Sequence, residues 1–237
     1  MANLSWAAPC EVLRAAEDIV TARSLYADRE SWALTRRFHA LWCEPMILTM
    51  QALPTGSRVL DVGPGYGTLS VAATLLGHQL TAVELFLDPP DWSELEWLRG
   101  DICDPRLLSG RSFDLALMAE VLEHLTTDPA EALGNVARAL KPGAAFLGST
   151  PNPGAWPGPE PCTGSLPPWT PGRSAEDRHV RLYSPEETAT LLRAAGCDVD
   201  AQEYLGAMSH RHLWRAHKHE WDPQRLCTSP WDAEATL

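Results

Sequence analysis

The 237-residue chain is long enough for one α/β domain with a sizeable core, and its 31 acidic against 19 basic residues give a formal charge of −12. A surface of that charge repels polyphosphates and anionic lipids, which disfavours a non-specific nucleic-acid or membrane binder and favours a small-molecule partner. Six cysteines without a CxxC pair, and no apolar run of the roughly 18 residues that a membrane span needs, predict a reduced, cytoplasmic protein.

The N-terminal region, residues 1–55, is predicted to be a helical cap, because apolar residues such as Leu34 and Phe38 recur there at helical spacing. Residues 56–205 are predicted to form the main domain. The remaining residues, 206–237, are interpreted as a C-terminal tail.

Within the main domain, strand and helix patterns alternate along the chain. This alternation predicts an α/β fold with a doubly wound, mostly parallel sheet, whose ligands bind at the carboxyl ends of the strands. A serine, a proline and two glutamates from Ser184 onwards are typical of a capped helix start. The predicted strands are 58–62, 80–85, 96–99, 113–118 and 144–149, and the predicted helices are 66–76, 129–140 and 185 to about 195.

The most informative segment is VLDVGPGYGTLS at residues 59–70, where a strand ends at an acid and a glycine-rich turn. Glycines 63, 65 and 67 allow positive φ and a close approach to a ligand, which predicts a nucleotide-like cofactor at Gly63, Gly65 and Gly67. The spacing differs from the GxGxxG of dinucleotide-binding folds, which argues against a nicotinamide oxidoreductase. Asp61 would repel a pyrophosphate but suits a cationic amino group.

Two further acids follow the next strands, where the adenosine part of such a cofactor would lie. Glu84 ends the second strand, where a carboxylate can accept hydrogen bonds from ribose hydroxyls, and Leu85 follows it. Asp101 follows the third strand and can accept from an adenine amino group, with Ile102 packing against the ring. Three acids after successive strands predict one continuous cofactor site.

The segment after the fourth strand contains two carboxylates and one imidazole. Its residues are Glu120, Val121, Leu122, Glu123 and His124. One helical turn would gather its two carboxylates and its imidazole at one point. Carboxylate oxygens with imidazole suit Mg²⁺, Mn²⁺ or Fe²⁺. The alternative is a metal-free site, in which the histidine acts as a general base or holds the loop by hydrogen bonds.

The chain resembles the class I S-adenosylmethionine-dependent methyltransferases, and within them the ubiquinone-biosynthesis O-methyltransferase group. The resemblance rests on VLDVGPGYGTLS, VEL, GDI, FDLALMAEVLEHL, LKPGAAFLGSTPN and YSPEETATLLRAAG. It implies that the glycines line the methionine part of the cofactor and that Asp61 lies near its ammonium group. One departure is that only sixteen residues separate Glu84 from Asp101, so the helix usual there looks shortened or missing.

The ExxEH run, followed by STPN and a later histidine, also resembles two metal-assisted groups: the same ubiquinone-biosynthesis enzymes and the small-RNA 3′-terminal 2′-O-methyltransferases. On that resemblance, four residues would be metal ligands: Glu120, Glu123, His124 and His179. Glu120 is also assigned to the cofactor site, and His124 and His179 are the candidate catalytic residues.

Two C-terminal segments have more than one interpretation. Residues 151–178, rich in proline and glycine, are interpreted as a lid loop, with plain disorder as the alternative, and HVRLY at 179–183 as a short strand. The C-terminal region contains two HxH patterns separated by four residues, with histidines at His210, His212, His217 and His219. We interpret these histidines as part of the solvated face of a polar helix, with a Zn²⁺ or Ni²⁺ site as the alternative.

Together these observations predict a cytoplasmic S-adenosylmethionine-dependent methyltransferase that acts on a hydroxyl of a small molecule, with a divalent metal as a possible second cofactor. Two alternatives stay open. One is methylation of an RNA 2′-hydroxyl, which the absence of a basic stripe disfavours. The other is a non-catalytic module that binds the cofactor. The sequence predicts no oligomeric state.

Overall fold

The computed structural model describes residues 4–22, 42–86, 95–153, 179–205 and 211–218. Their centre is a seven-stranded sheet of order β3-β2-β1-β4-β5-β7-β6. Neighbouring strands from β3 to β5 pair in parallel, whereas β7 pairs antiparallel with both β5 and β6. The doubly wound, mostly parallel sheet predicted from the sequence is confirmed.

The elements follow the predicted order closely. The described helices are α1 (Pro9–Ala22), α2 (42–51), α3 (Thr68–Leu75), α4 (Pro129–Ala139) and α5 (Pro185–Ala194), with a 3₁₀ turn at Leu122–His124. The strands are β1 (Arg58–Val62), β2 (Gln79–Glu84), β3 (Glu96–Arg99), β4 (Phe113–Ala119), β5 (Leu140–Pro151), β6 (Cys197–Leu205) and β7 (Arg211–Lys218).

The sheet separates two hydrophobic cores, because successive side chains of a strand point to opposite faces. In β5, Leu147 packs into the core that also contains α1, α2 and α3, and Phe146 packs into the core that also contains α4 and α5. We call these sides the α1–α3 face and the α4–α5 face. This division decides which functional side chains can meet.

Two helices begin at side-chain caps, and the cap at Ser184 confirms the start predicted from the sequence. The side chain of Asp128 accepts a hydrogen bond from the amide of Ala130 at the start of α4. Ser184 and Glu187 form a reciprocal capping box at the start of α5. Such caps satisfy amides that the first helical turn leaves without intrahelical partners, so both helices begin at fixed points beside the sheet.

Two predictions of secondary structure are wrong. Residues 211–218 form the strand β7 rather than a polar helix, so part of the segment interpreted as a tail belongs to the sheet. Residues 179–183 form no strand, and their backbone instead bonds to the loop after β4 through the amide of Val180 and the carbonyl of Glu123, 2.7 Å apart.

Parts of other predictions lie outside the described residues. These parts are residues 1–3 and 23–41 of the N-terminal cap, the connection 87–94, residues 154–178 of the interpreted lid, and residues 206–210 and 219–237 of the interpreted tail. In the portion of the chain that the structure covers, no helix combines the length and the apolar character needed to cross a bilayer.

Candidate functional site

The glycine-rich turn joins β1 to α3 and has an unusual backbone. Gly63, Gly65 and Gly67 have φ of +63°, +49° and +77°, which side-chain-bearing residues rarely adopt. Gly67 is the N-cap of α3 and makes no side-chain cap there. At Gly63 an added Cβ would lie 2.5 Å from Cγ2 of Val121. The turn therefore lies directly against the segment after β4.

Asp61 lies in β1, two residues before this turn, and is only 2% exposed. Its Oδ2 accepts a hydrogen bond of 2.7 Å from Oγ of Ser70 in α3, which places it on the α1–α3 face. Burial, with a further contribution from the charge of Glu84, raises the pKa of Asp61 to about 6. A buried acid whose ionisation is costly is well suited to a cationic ligand.

The next two acids also lie at strand ends. Glu84 is the last residue of β2, is 8% exposed, and accepts a hydrogen bond from the amide of Phe86 through Oε1. Asp101 accepts from the amide of Cys103. Leu85 is 42% exposed, whereas Ile102 is buried in the core of the α4–α5 face. The structure thus brings the predicted acids to one edge of the sheet.

Glu120 follows β4 in a strained conformation. Its φ is +56°, and among the described residues it is the one non-glycine residue with positive φ. Its amide donates to the carbonyl of Ser149 at 2.9 Å, and its Oε1 accepts from Oγ of the same serine at 2.8 Å. These two bonds to β5 hold the Glu120 side chain beside Ser149. The prediction that one helical turn gathers the whole ExxEH run is wrong.

Glu123, His124 and His179 do form a cluster. One potential ligand atom from each of the three lies within 4.8 Å of the other two. Oε1 of Glu123 is 3.9 Å from Nε2 of each histidine, and the two imidazole rings have centroids 4.9 Å apart. The Glu123 side chain is fully buried, and its Oε2 accepts a hydrogen bond of 3.1 Å from Oγ1 of Thr150.

Glu120 is not part of this cluster, and β5 explains why. Ser149, which bonds Glu120, and Thr150, which bonds Glu123, are consecutive residues of one strand. Their side chains therefore point to opposite faces of the sheet. Continuing the alternation of Phe146 and Leu147 places Ser149 on the α1–α3 face and Thr150 on the α4–α5 face.

The four-ligand set expected from the resemblance is thus divided by the sheet. Three of its members face one another on the α4–α5 face, and the fourth lies with Asp61 on the other side. Ser70, Ser149 and Thr150 were missed by sequence reasoning. The signal for the last two was the STPN run, which gave no indication of which carboxylate each hydroxyl would bind.

The C-terminal histidines have separate environments. His212 is completely buried in β7, so its interpretation as part of a solvated face is wrong, and burial lowers its pKa to about 4. His217 is partly exposed, and its Nδ1 lies 2.7 Å from Oδ1 of Asp200. His210 and His219 lie outside the described residues.

The fold defines a class I methyltransferase, since the sheet has its strand order. The glycine turn and the strand-end acids lie together at the carboxyl edge of this sheet, where the sequence predicts cofactor binding, and we call it the cofactor edge. A family model described as a methyltransferase domain matches residues 34–202, more than half of the chain. The chain belongs to this family of S-adenosylmethionine-dependent methyltransferases.

The curated relatives include proteins named ubiquinone biosynthesis O-methyltransferase. The protein from Xanthomonas oryzae pv. oryzae is 38% identical over 106 residues, which are 41% of this chain and 44% of the relative. The protein from Paracidovorax citrulli is 32% identical over 160 residues, which are 61% of this chain and 64% of the relative. Each match therefore spans less than two thirds of the relative's own length.

Solved structures show the same fold. Burkholderia thailandensis 1,6-didemethyltoxoflavin-N1-methyltransferase, with bound 1,6-didemethyltoxoflavin and S-adenosylhomocysteine, is 25% identical with a TM-score of 0.57, covering 74% of this chain and 77% of that one. A putative methyltransferase in complex with the Haloferax volcanii Trm112 activator is 18% identical with a TM-score of 0.60, covering 84% of this chain and 97% of that one.

The raised pKa of Asp61 predicts how stability and cofactor binding depend on pH. Without cofactor, the folded state keeps a proton on Asp61 up to about pH 6, whereas the unfolded chain releases it near its ordinary pKa of 3.8, so this group lowers stability as pH rises through that window. A positively charged cofactor favours the ionised form. Affinity for S-adenosylmethionine should therefore increase between about pH 5 and pH 7, by at most about tenfold per pH unit.

Calorimetric titration at several pH values measures this dependence. Asp61→Asn keeps an acceptor for Ser70 but removes the titrating group, so its affinity should be lower at pH 7 and nearly independent of pH. An equal pH dependence in the variant would show that another group is responsible.

Proposed function

We propose that this methyltransferase transfers the methyl group to a hydroxyl oxygen of a small organic molecule, and that a divalent metal ion bound by Glu123, His124 and His179 assists the reaction. The observation that carries this proposal is the largely buried cluster of one carboxylate and two imidazoles, which begins two residues after the Val121 contact with the glycine turn. The cofactor edge and the cluster are thus joined through a single short segment.

The three side chains fit a divalent ion. Two ligand atoms that each lie about 2.1 Å from an ion are themselves about 3 to 4 Å apart, and the Glu123–His124 and Glu123–His179 separations are both 3.9 Å. One oxygen and two nitrogen donors suit Mn²⁺, Fe²⁺ or Zn²⁺, and Mg²⁺ with added water. A bound ion would lower the pKa of a coordinated hydroxyl and orient it.

The protein's own groups have complementary tasks. S-adenosylmethionine supplies an activated methyl group on its sulfonium, so the chain mainly has to position the acceptor and remove its proton. The buried carboxylate of Glu123 is held by Thr150 and lies 3.9 Å from Nε2 of each histidine, so all three groups can be ligands of one ion. The His124 side chain is 24% exposed and can reach an acceptor that enters from solvent, whereas the His179 side chain is 4% exposed.

Two further observations support a small acceptor. The formal charge of −12 opposes binding of a polyanionic RNA, which argues against methylation of an RNA 2′-hydroxyl. The matched Burkholderia enzyme holds a small heterocycle, and the curated relatives are named O-methyltransferases. We therefore propose a phenol, quinol or similar hydroxyl as the acceptor class.

Metal removal tests this proposal. Exhaustive dialysis against EDTA should reduce methyl transfer to a panel of phenols and hydroquinones by about 100-fold or more, because both acidification and orientation of the hydroxyl are lost. Adding Mn²⁺ or Mg²⁺ should restore activity, and direct titration of the apoprotein with Mn²⁺ should show one site.

His179→Ala is the matched variant for this experiment. It should abolish the Mn²⁺ site and remove the response to added metal, while S-adenosylhomocysteine still raises the melting temperature. Full activity after chelation would contradict the metal proposal and favour His124 as a metal-free general base.

A further inference from the structure

A groove with a volume of about 360 Å³ lies on the α4–α5 face, between the starts of the two helices. Pro129 of α4, Leu191 of α5 and the ring of Tyr183 give it an apolar lining. Sites for small organic ligands are typically cavities of this size that are lined mostly by apolar and aromatic side chains. The groove therefore has the dimensions and the lining of a ligand site.

Both helices that form the groove begin at the carboxyl edge of the sheet. α4 follows β4 through the loop that carries Glu123 and His124. β6 runs parallel to β5, because both strands pair antiparallel with β7. α5 ends directly before β6, so its start lies toward the carboxyl end of β5. The groove thus opens on the side of the molecule where the cofactor edge lies.

The segment before α5 is fixed against the loop after β4. The amides of Val180 and Arg181 both donate to the carbonyl of Glu123, at 2.7 and 3.4 Å. These bonds hold the residues that follow His179 beside the loop that leads into α4. The cluster of one carboxylate and two imidazoles, here called the histidine cluster, lies between the same two segments.

Each histidine of the cluster is close in the chain to a residue that lines the groove. His124 precedes Asp128 by four residues, and His179 precedes Tyr183 by four residues. Four residues span at most about 14 Å even when fully extended. A molecule whose hydroxyl lies at the histidine cluster can therefore extend a substituent of modest length into the groove.

The charges at the groove determine which substituent it accepts. Arg181 is the one cationic residue among the described residues that line it, and its guanidinium pairs with Glu187 and lies 5.1 Å from the centre of the Tyr183 ring. Asp128 and Glu186 also line the groove and are exposed. A carboxylate bound there would meet more negative than positive charge, whereas an apolar group would meet the apolar lining.

We propose that this groove binds the non-reacting part of the methyl acceptor and selects an uncharged, apolar substituent over an anionic one. The inference rests on the proposed function, because it places the hydroxyl of the acceptor at the histidine cluster. Burial of the apolar substituent provides affinity, and the charge of Glu186 opposes an acidic substituent. The acceptor class is thereby narrowed to phenols or quinols that carry an apolar substituent and no acidic group.

Calorimetric titration with three phenols tests the proposal in metal-free protein saturated with S-adenosylhomocysteine. The probes are 4-methylphenol, 4-butylphenol and 4-(4-hydroxyphenyl)butanoate. The butyl chain should strengthen binding relative to the methyl group by about tenfold or more, because each buried methylene adds apolar contact. The probe that ends in a carboxylate should bind about tenfold or more weakly than 4-butylphenol.

Glu186→Lys and Glu131→Lys form a matched pair, because each reverses an exposed acid in the first turn of a helix, but only Glu186 lines the groove. Glu186→Lys should strengthen binding of the carboxylate probe by about fivefold and change that of 4-butylphenol by less than about threefold. Glu131→Lys should change neither affinity. Equal effects of the two variants overturn the proposal.

Thr190→Trp fills the groove from an exposed position on α5. It should remove the gain from the butyl chain while circular dichroism shows a folded protein. A gain that persists in this variant, or a butyl chain that adds nothing in the wild type, overturns the groove alone. Failure of all three phenols to bind contradicts the proposed acceptor class and this inference with it. The titrations contain no metal, so their outcome is independent of the proposed metal site.

Discussion

Gly148→Ala should lower the free energy of unfolding by about 3 kcal/mol, a large share of the stability of a domain of this size. Gly148 lies in β5 between β4 and β7, and an added Cβ would lie 2.1 Å from Cζ2 of Trp214 and 2.5 Å from the carbonyl oxygen of Met118. The carbonyl belongs to a neighbouring strand, and the fully buried Trp214 ring packs edge-on against Phe146 with centroids 4.8 Å apart. Neither neighbour can move without disturbing the core. Urea denaturation measures the effect.

Gly134→Ala is the control for this substitution. An added Cβ there would meet only the end of the Arg138 side chain, at 3.4 Å, and alanine favours the helical backbone of α4. Its stability should be unchanged or slightly higher. Combining Gly148→Ala with Trp214→Leu should cost less than the sum of the two single changes, because the smaller side chain relieves part of the overlap. Wild-type stability in Gly148→Ala would contradict the tight packing described here.

Four of the first five strands, β1, β2, β4 and β5, could be predicted because each contains an apolar run that ends at a turn or polar residue. β7 could not, for a specific reason. Alternate residues of this strand, His212, Trp214 and Ala216, are all fully buried, while Arg215 between them is exposed. A histidine and a tryptophan among arginines obscured the two-residue period, and the polar composition favoured a helix. The strand is determined by its pairing with β6, which precedes it closely, and with β5, which lies about sixty residues earlier in the chain.

The glycine turn could be predicted because its chemistry is local: a backbone with positive φ needs glycine, and three glycines in register identify it. The division of the ExxEH run could not, since it depends on β5, about thirty residues later. Ser149 and Thr150 are adjacent in sequence but lie on opposite faces, and each fixes one carboxylate. A helical wheel of Glu120, Glu123 and His124 cannot show on which face of the sheet each carboxylate will lie.

This division has a functional consequence, since it assigns two tasks to opposite faces of one sheet. Glu120 shares the α1–α3 face with Asp61, and both contribute to the electrostatics around Cys43. Glu123 shares the other face with the two histidines. On the function proposed above, the first carboxylate acts on the cofactor and the second on the acceptor. Two glutamates three positions apart should therefore affect different steps.

The paired variants Glu123→Gln and Glu120→Gln should accordingly each weaken binding of a different ligand. Glu123→Gln keeps an acceptor for Thr150 but removes the only carboxylate of the histidine cluster, so kcat should fall by about 100-fold or more and binding of Mn²⁺ should be lost. Affinity for S-adenosylmethionine should change by less than about twofold. Glu120→Gln keeps an acceptor for Ser149 but removes a charge from the α1–α3 face. The affinity for S-adenosylmethionine should therefore fall by about tenfold, while Mn²⁺ still binds.

Each variant is the control for the other, because both replace a carboxylate by an amide of the same shape within one short segment. Calorimetry with S-adenosylmethionine and with Mn²⁺ gives two readouts that do not require the natural acceptor. If both variants weakened both ligands, the two sites would share their carboxylates and the separation by the sheet would have no functional meaning. If Glu120→Gln alone abolished Mn²⁺ binding, the ion would lie on the cofactor side, and Glu123 would serve only to orient the histidines.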